Sequence, residues 1–158
     1  MKTTRIAPLA IALAFVLFGC ATEGEKPAPA PVAACKPAPT ELLTQDLQPG
    51  TGETVRFKTA VWVEYTGWLY DGCKPDLKGK QFDTSQGRSA PFGLIVGVGR
   101  VIKGWDEGLI GMKEGGSRLL VIPANKGYGD KGVPGVIPPN STLVFEVKIT
   151  KVLEQPAK

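Results

Sequence analysis

Ile102-Lys103-Gly104-Trp105-Asp106-Glu107-Gly108-Leu109-Ile110 is the stretch on which the fold turns. Ile102, Trp105 and Leu109 stand at helical spacing, so the segment reads as one short helix. Gly104 and Gly108 make it a poor helix in isolation, and packing against a neighbour must hold it. Its neighbours read as strand. Val61, Val63 and Tyr65 alternate with Trp62, Glu64 and Thr66. Phe92, Leu94 and Val96 repeat that period, and Leu119 to Ile122 is a short apolar run. Leu143, Phe145, Val147 and Ile149 alternate again, against Glu146, Lys148 and Thr150. A period of two buries one face of a sheet, and that face needs a cover. One short helix laid across it gives an α+β fold, an antiparallel β-sheet half-barrel wrapped around one short α-helix.

Asp71-Gly72, Gly79, Gly87 and the glycines from Gly127 to Gly135 punctuate the turns. Asn125 to Ser141 is too rich in glycine and proline for regular structure, yet it carries Tyr128, Val133, Val136 and Ile137. A long loop with apolar residues in a compact domain points to function.

The chain opens with Lys2 and Arg5, then an apolar run from Ile6 to Phe18 that is too short to remain as a spanning helix. The run ends at Leu17-Phe18-Gly19-Cys20, which resembles a bacterial lipobox. Residues 1–19 then read as a lipoprotein signal peptide, with Cys20 the lipidated mature N-terminus; a plain secretory signal or an uncleaved anchor is the alternative. Acyl chains on Cys20 give stable membrane attachment. Ala21 follows where an inner-membrane retention signal would place Asp, so the resemblance implies a lipid-anchored protein of the bacterial cell envelope, in the outer membrane and facing the periplasm.

Residues 20–40 form a tether rich in Pro and Ala, with Pro27, Pro29, Pro31, Pro37 and Pro39. Such composition favours extended polyproline II, which reaches about 45 Å between Cys20 and Cys35 at about 3.1 Å per residue. The folded domain is expected over 41–155, with 156–158 a C-terminal tail. No heptad pattern or amphipathic arm precedes the domain, so a monomer is expected.

Losing Lys2 and Arg5 from 19 basic residues against 15 acidic ones lowers the net charge from +4 to about +2, too little to argue for nucleic acid. Cys35 and Cys73 are left over; in an oxidising compartment an even pair reads as a disulfide, with two free thiols the alternative.

Tyr65, Phe82, Phe92, Trp105, Tyr128 and Phe145 sit on strands or among glycines, with Asp83 the one acid beside them. Rigid rings that converge make a deep, dry pocket. Singly, each would serve as ordinary core, and Phe57 is expected to be core. The chain has no histidine and no cluster of metal ligands, so no metal and no cofactor are expected. Chemistry by shape and desolvation fits a reaction in which no bond is made or broken.

Four motifs extend this reading. Val63-Glu64-Tyr65-Thr66-Gly67, Gly79-Lys80-Gln81-Phe82-Asp83-Thr84-Ser85, Val101 through Leu109, and Tyr128-Gly129 followed by Ile137-Pro138-Pro139-Asn140-Ser141-Thr142-Leu143-Val144-Phe145 occur in this order. The set resembles the FKBP-type peptidyl-prolyl cis-trans isomerases and covers Leu47 to Leu153. The resemblance implies an isomerase of X-Pro bonds in extracytoplasmic polypeptides, a folding catalyst that macrolide inhibitors of the FKBP class would block. It implies Trp105 as the floor under the proline ring, with Tyr65, Phe92, Val101, Ile102 and Phe145 as walls. Phe82 and Asp83 would lie beside the twisting amide, Arg88 would pair with Asp83, and Tyr128 and the Ile102 N–H would hold substrate carbonyls. Val136 and Ile137 would overhang the residue before proline.

Two departures stand out. Cys73-Lys74-Pro75-Asp76-Leu77-Lys78 lengthens a hairpin, and Cys35–Cys73 would staple the tether there, covering Trp62, Trp68 and Tyr70. Glu64 and Val133 replace residues common in the family. The competing reading is a chaperone-like or surface binding lipoprotein that uses the same cleft without catalysis.

Overall fold

The computed structural model describes residues 35–153. The expected signal peptide (1–19), the lipidated Cys20, the tether as far as 34 and the tail 156–158 lie outside the described residues.

Six antiparallel strands form one open sheet: β1 (Leu43–Gln48), β2 (Ala60–Tyr70), β3 (Lys78–Thr84), β4 (Phe92–Ile95), β5 (Ser117–Ile122) and β6 (Leu143–Leu153). Their order is β1-β5-β6-β2-β3, with β4 also paired to β2. β3 and β4 lie end to end along one edge of β2: Thr66 and Gly67 face Thr84 and Asp83, while Val63 faces Phe92. That junction brings the last residues of β3 and the first of β4 together over the middle of β2.

Helix α1 (Lys103–Gly108) is shorter than its apolar spacing suggests, and it buries Gly104, Trp105 and Gly108. Its two glycines set how closely it sits on β5. A Cβ on Gly104 would stand 2.4 Å from Ile122, and one on Gly108 would stand 2.8 Å from Leu120. Arg118 on β5 holds the far end of the helix, donating from Nη1 to the Gly108 carbonyl at 2.7 Å and the Ile110 carbonyl at 3.2 Å. These are carbonyls that a helix end leaves without internal partners. Arg118 also binds Asp46 on β1, and that hydrogen bond holds the Asp46 carboxyl below its usual range. Between the helix and the sheet lie Val61, Val63, Leu109, Leu120, Ile122, Val147 and Ile149, all buried.

Two strands have no counterpart in the alternation read from the sequence. All six residues of β1 are exposed, and β3 is polar along most of its length. Phe57 is not core: it is 60% exposed. Its ring lies against Gly97, where a Cβ would come within 2.4 Å of it.

Cys35 and Cys73 are joined by a disulfide. Around it the Lys36 N–H donates to the Gly72 carbonyl at 2.9 Å, and the Tyr70 hydroxyl donates to the carbonyls of Lys36 and Pro37. The stapled segment thus covers Tyr70. It does not cover Trp62, which is 45% exposed, and Trp68 lies instead under the Lys78 ammonium, 4.6 Å from its ring centre.

Candidate active site

A cavity of about 640 Å³ opens where β2, β3, β4, β6 and the start of α1 meet. Tyr65, Phe82, Asp83, Phe92, Val101, Ile102, Trp105, Tyr128 and Phe145 line it, as do Arg100, Lys103 and Asn125. Alternation on β2 and β6 turns Tyr65 and Phe145 inward, and α1 lays Trp105 between them.

The rings brace one another edge to face. Trp105 lies 5.1 Å from Tyr65 at 80°, 5.3 Å from Phe145 at 85° and 6.2 Å from Phe92 at 82°. Phe82 meets Phe145 at 5.4 Å and 88°. Aromatic pairs prefer such T-shaped contacts, which set the positive edge of one ring against the negative face of the next. Trp105 Nε1 is buried with no acceptor among the described residues, so packing alone holds the indole.

Gly67 makes room for this arrangement. It pairs with Phe145 on β6 and with Asp83 on β3. A Cβ there would stand 2.7 Å from both Phe145 and Phe82.

One polar network reaches the rings. The Tyr65 hydroxyl donates to Asp83 Oδ2 at 2.6 Å, while Asp83 Oδ1 accepts from Arg88 at 2.7 Å and from the Thr84 N–H at 2.8 Å. Burial first, and then the bond to Asp83, push the Tyr65 phenol up to about 12. Burial, with a smaller push from the Asp83 charge, also raises Tyr128. Both phenols keep their protons at neutral pH, so each can donate a hydrogen bond. Tyr65 has spent its proton on Asp83, whereas the Tyr128 hydroxyl donates to no acceptor among the described residues.

Ser85 and Asp106 position the site from outside it, and the sequence alone does not reveal either role. Ser85 is buried, and its Oγ accepts from the Tyr65 N–H at 2.8 Å, which pins the end of β3 to β2. Asp106 on α1 accepts from the N–H groups of Gly97 at 2.7 Å and Gly99 at 2.8 Å. Both glycines have positive φ, so Asp106 holds the turn that delivers Val101 and Ile102 to the cavity. Short polar residues beside glycine turns were the only available hint.

Val136 and Ile137 are not brought to the cavity. Ile137 is buried in the core and its N–H donates to the Val133 carbonyl at 2.8 Å, while Val136 is 45% exposed. Asn125, Gly127 and Tyr128 form the wall on that side. Among the described residues no group of His, Cys, Asp and Glu could hold a metal ion.

Comparison with known proteins agrees with this architecture. An FK506-binding protein of Neisseria meningitidis serogroup A is 50% identical over 113 residues, spanning 72% of this chain and 97% of that protein. FK506-binding protein 1 of Gibberella zeae is 50% identical over 111 residues, 70% of this chain and 94% of that protein. A crystal structure of a peptidyl-prolyl cis-trans isomerase from Pseudomonas syringae pv. tomato superposes with a TM-score of 0.60 at 33% identity, covering 80% of this chain and 84% of that one. The family model for the FKBP-type peptidyl-prolyl cis-trans isomerases matches residues 51–150, and with it the chain belongs to that family and is a peptidyl-prolyl isomerase.

Proposed function

We propose that this isomerase works outside the cytoplasm as a lipid-anchored monomer, and that the ring-lined cavity is where the X-Pro amide is turned. The observation that carries the reading is the cavity itself, in which buried Trp105, Tyr65 and Phe145 meet Phe82 and Phe92 edge to face.

Rotation about an amide is slow because resonance gives its C–N bond partial double character, with a barrier of about 18–20 kcal/mol. An uncatalysed X-Pro bond takes tens of seconds to exchange. Four decades of acceleration require about 5–6 kcal/mol. When the amide twists, its nitrogen becomes pyramidal and its carbonyl loses the polarity that resonance confers. The twisted state is less polar than the planar one, so a dry aromatic cavity favours it.

Trp105 serves as the floor for the proline ring, with Phe82, Phe92 and Phe145 around it. The Tyr128 hydroxyl and the Ile102 N–H hold flanking carbonyls while the amide turns. Asp83, with one oxygen bound to Arg88 and the other to Tyr65, keeps Tyr65 and the end of β3 in place. The Cys35–Cys73 bond supports an oxidising compartment, and the lipobox-like Leu17-Phe18-Gly19-Cys20 supports an anchor there. Its substrates are proline-containing polypeptides of that compartment. The names of the Neisseria and Gibberella relatives suggest that macrolides of the FK506 class bind in the same cavity.

Purified mature protein should accelerate cis-to-trans exchange in a proline tetrapeptide and lose that acceleration with excess FK506. Undiminished activity in the presence of the macrolide would contradict the assignment of the cavity.

A further inference from the structure

A second hollow of about 290 Å³ adjoins the ring-lined cavity, and Phe92, Arg100 and Val101 line both. Much of its remaining wall comes from the outer side of the sheet and the chain's last strand: Trp62 on β2, Gly93 and Ile95 on β4, and Leu153 on β6. Trp62 and Gly93 are paired directly across the two strands. The Trp62 indole lies over the β4 backbone at Gly93, where an added Cβ would meet it at 3.4 Å, an ordinary contact distance.

Single exposed apolar residues are ordinary on a protein surface. Trp62 differs by position. Its half-exposed indole fronts a hollow that shares Phe92, Arg100 and Val101 with the ring-lined cavity, beside the strand that pairs with β2 alone. Among the described residues Arg100 is the one charged residue in the lining, and the rest is apolar or glycine.

We infer that this hollow is an accessory subsite for the substrate chain, taking an apolar and preferably aromatic side chain near the proline. The inference rests on the reading of the main cavity as the proline site. An extended chain advances about 3.3 Å per residue, so a side chain two to four residues from the proline reaches an adjoining hollow. The occupant is the same polypeptide whose bond is turned, because Phe92, Arg100 and Val101 wall both hollows and so place them side by side. An aromatic side chain has the flat apolar area to cover the indole while the rest of the chain remains in water.

The test uses ten-residue peptides with one proline, in which Phe or Ser is placed two, three or four residues to either side. The measure is kcat/KM for the Phe peptide divided by that for its Ser partner. Wild-type protein should show a ratio of about five or more at one placement or more, the size expected for one aromatic contact. Trp62→Ala should bring that ratio to about one, and Trp62→Phe, which keeps a ring, should restore most of it. A wild-type ratio of one at every placement, or a ratio unchanged in Trp62→Ala, overturns the subsite while leaving the main cavity's role intact. Wild-type protein inactive on every peptide overturns the reading of the main cavity, and the subsite falls with it.

Discussion

The Tyr65 hydroxyl donates to Asp83 Oδ2 at 2.6 Å, joining β2 to β3 at the mouth of the cavity. Tyr65 is 7% exposed and touches Trp105, Phe92 and Phe145, so this one bond ties the polar rim to the apolar floor. Its strength depends on the phenol keeping its proton, and that makes it visible to pH.

In the folded protein the Tyr65 phenol is pushed up to about 12, first by burial and then by Asp83, from a value near 10 in the unfolded chain. The folded state holds the proton more tightly, so its contribution is complete below about pH 10 and fades as pH rises through about 12. Thermal midpoints should fall across that window, and Tyr65→Phe should fall less steeply. Parallel falls in the two proteins would show that Tyr65 does not titrate this way.

Gly67→Ala should damage the site more than the fold. The new methyl would stand 2.7 Å from both Phe82 and Phe145, so one ring must swing into the cavity. Overpacking of this kind costs about 1–3 kcal/mol. Activity on a tetrapeptide should drop at least tenfold in a variant that remains folded by circular dichroism. Wild-type activity would show that the rings can yield without closing the cavity.

Reduction should weaken the domain and spare its chemistry. The disulfide links residues 38 apart, for which chain entropy gives about 4 kcal/mol of stabilisation as an upper figure. Cys73 sits in the loop that joins Tyr70 to Lys78 at one end of the hairpin, whereas Asp83 pairs with Gly67 towards the other. Cys35→Ser with Cys73→Ser should therefore unfold at a lower denaturant midpoint and, while folded, turn over tetrapeptide at the wild-type rate. An unchanged midpoint would show that the staple adds nothing to stability.

Membrane attachment should depend on Cys20 alone. Expressed with residues 1–19 intact in a bacterial host, the wild-type chain should enter the detergent phase on Triton X-114 partition, and Cys20→Ser should stay in the aqueous phase. Identical partition of the two would rule out a lipid on that residue.

Much of the fold was legible because β2, β4 and β6 each put large apolar residues on one face, and the sheet then needs its helix. β1 was not legible. Its residues are all exposed, and what makes it a strand is its ladder to β5, from Leu43 against Val121 to Gln48 against Ser117. A backbone partner distant in sequence leaves no period behind. Phe57 misled for a related reason: a ring reads as core, yet the turn at Lys58, with φ of 64°, leaves it lying on Gly97 at the surface. At the site, Tyr65, Phe82, Trp105 and Phe145 could be named from ordered motifs, and Phe92 from its place on an alternating strand. The roles of Gly67, Ser85 and Asp106 could not, because each acts through a neighbour that only the folded chain supplies. Val136 and Ile137 sit in a loop whose shape depends on the Val133–Ile137 bridge, which turns Ile137 into the core.

The most direct measurement is kcat/KM for cis-to-trans exchange of a proline tetrapeptide, taken on wild-type protein and on Phe82→Ala. Phe82 is partly exposed and closes one side of the ring cluster against Phe145, so its loss should admit water while the buried core stays intact. If a water-poor ring of aromatic side chains lowers the barrier, activity falls by at least tenfold, about 1.4 kcal/mol, with the thermal midpoint within a few degrees of wild type. Full activity in Phe82→Ala would contradict the account.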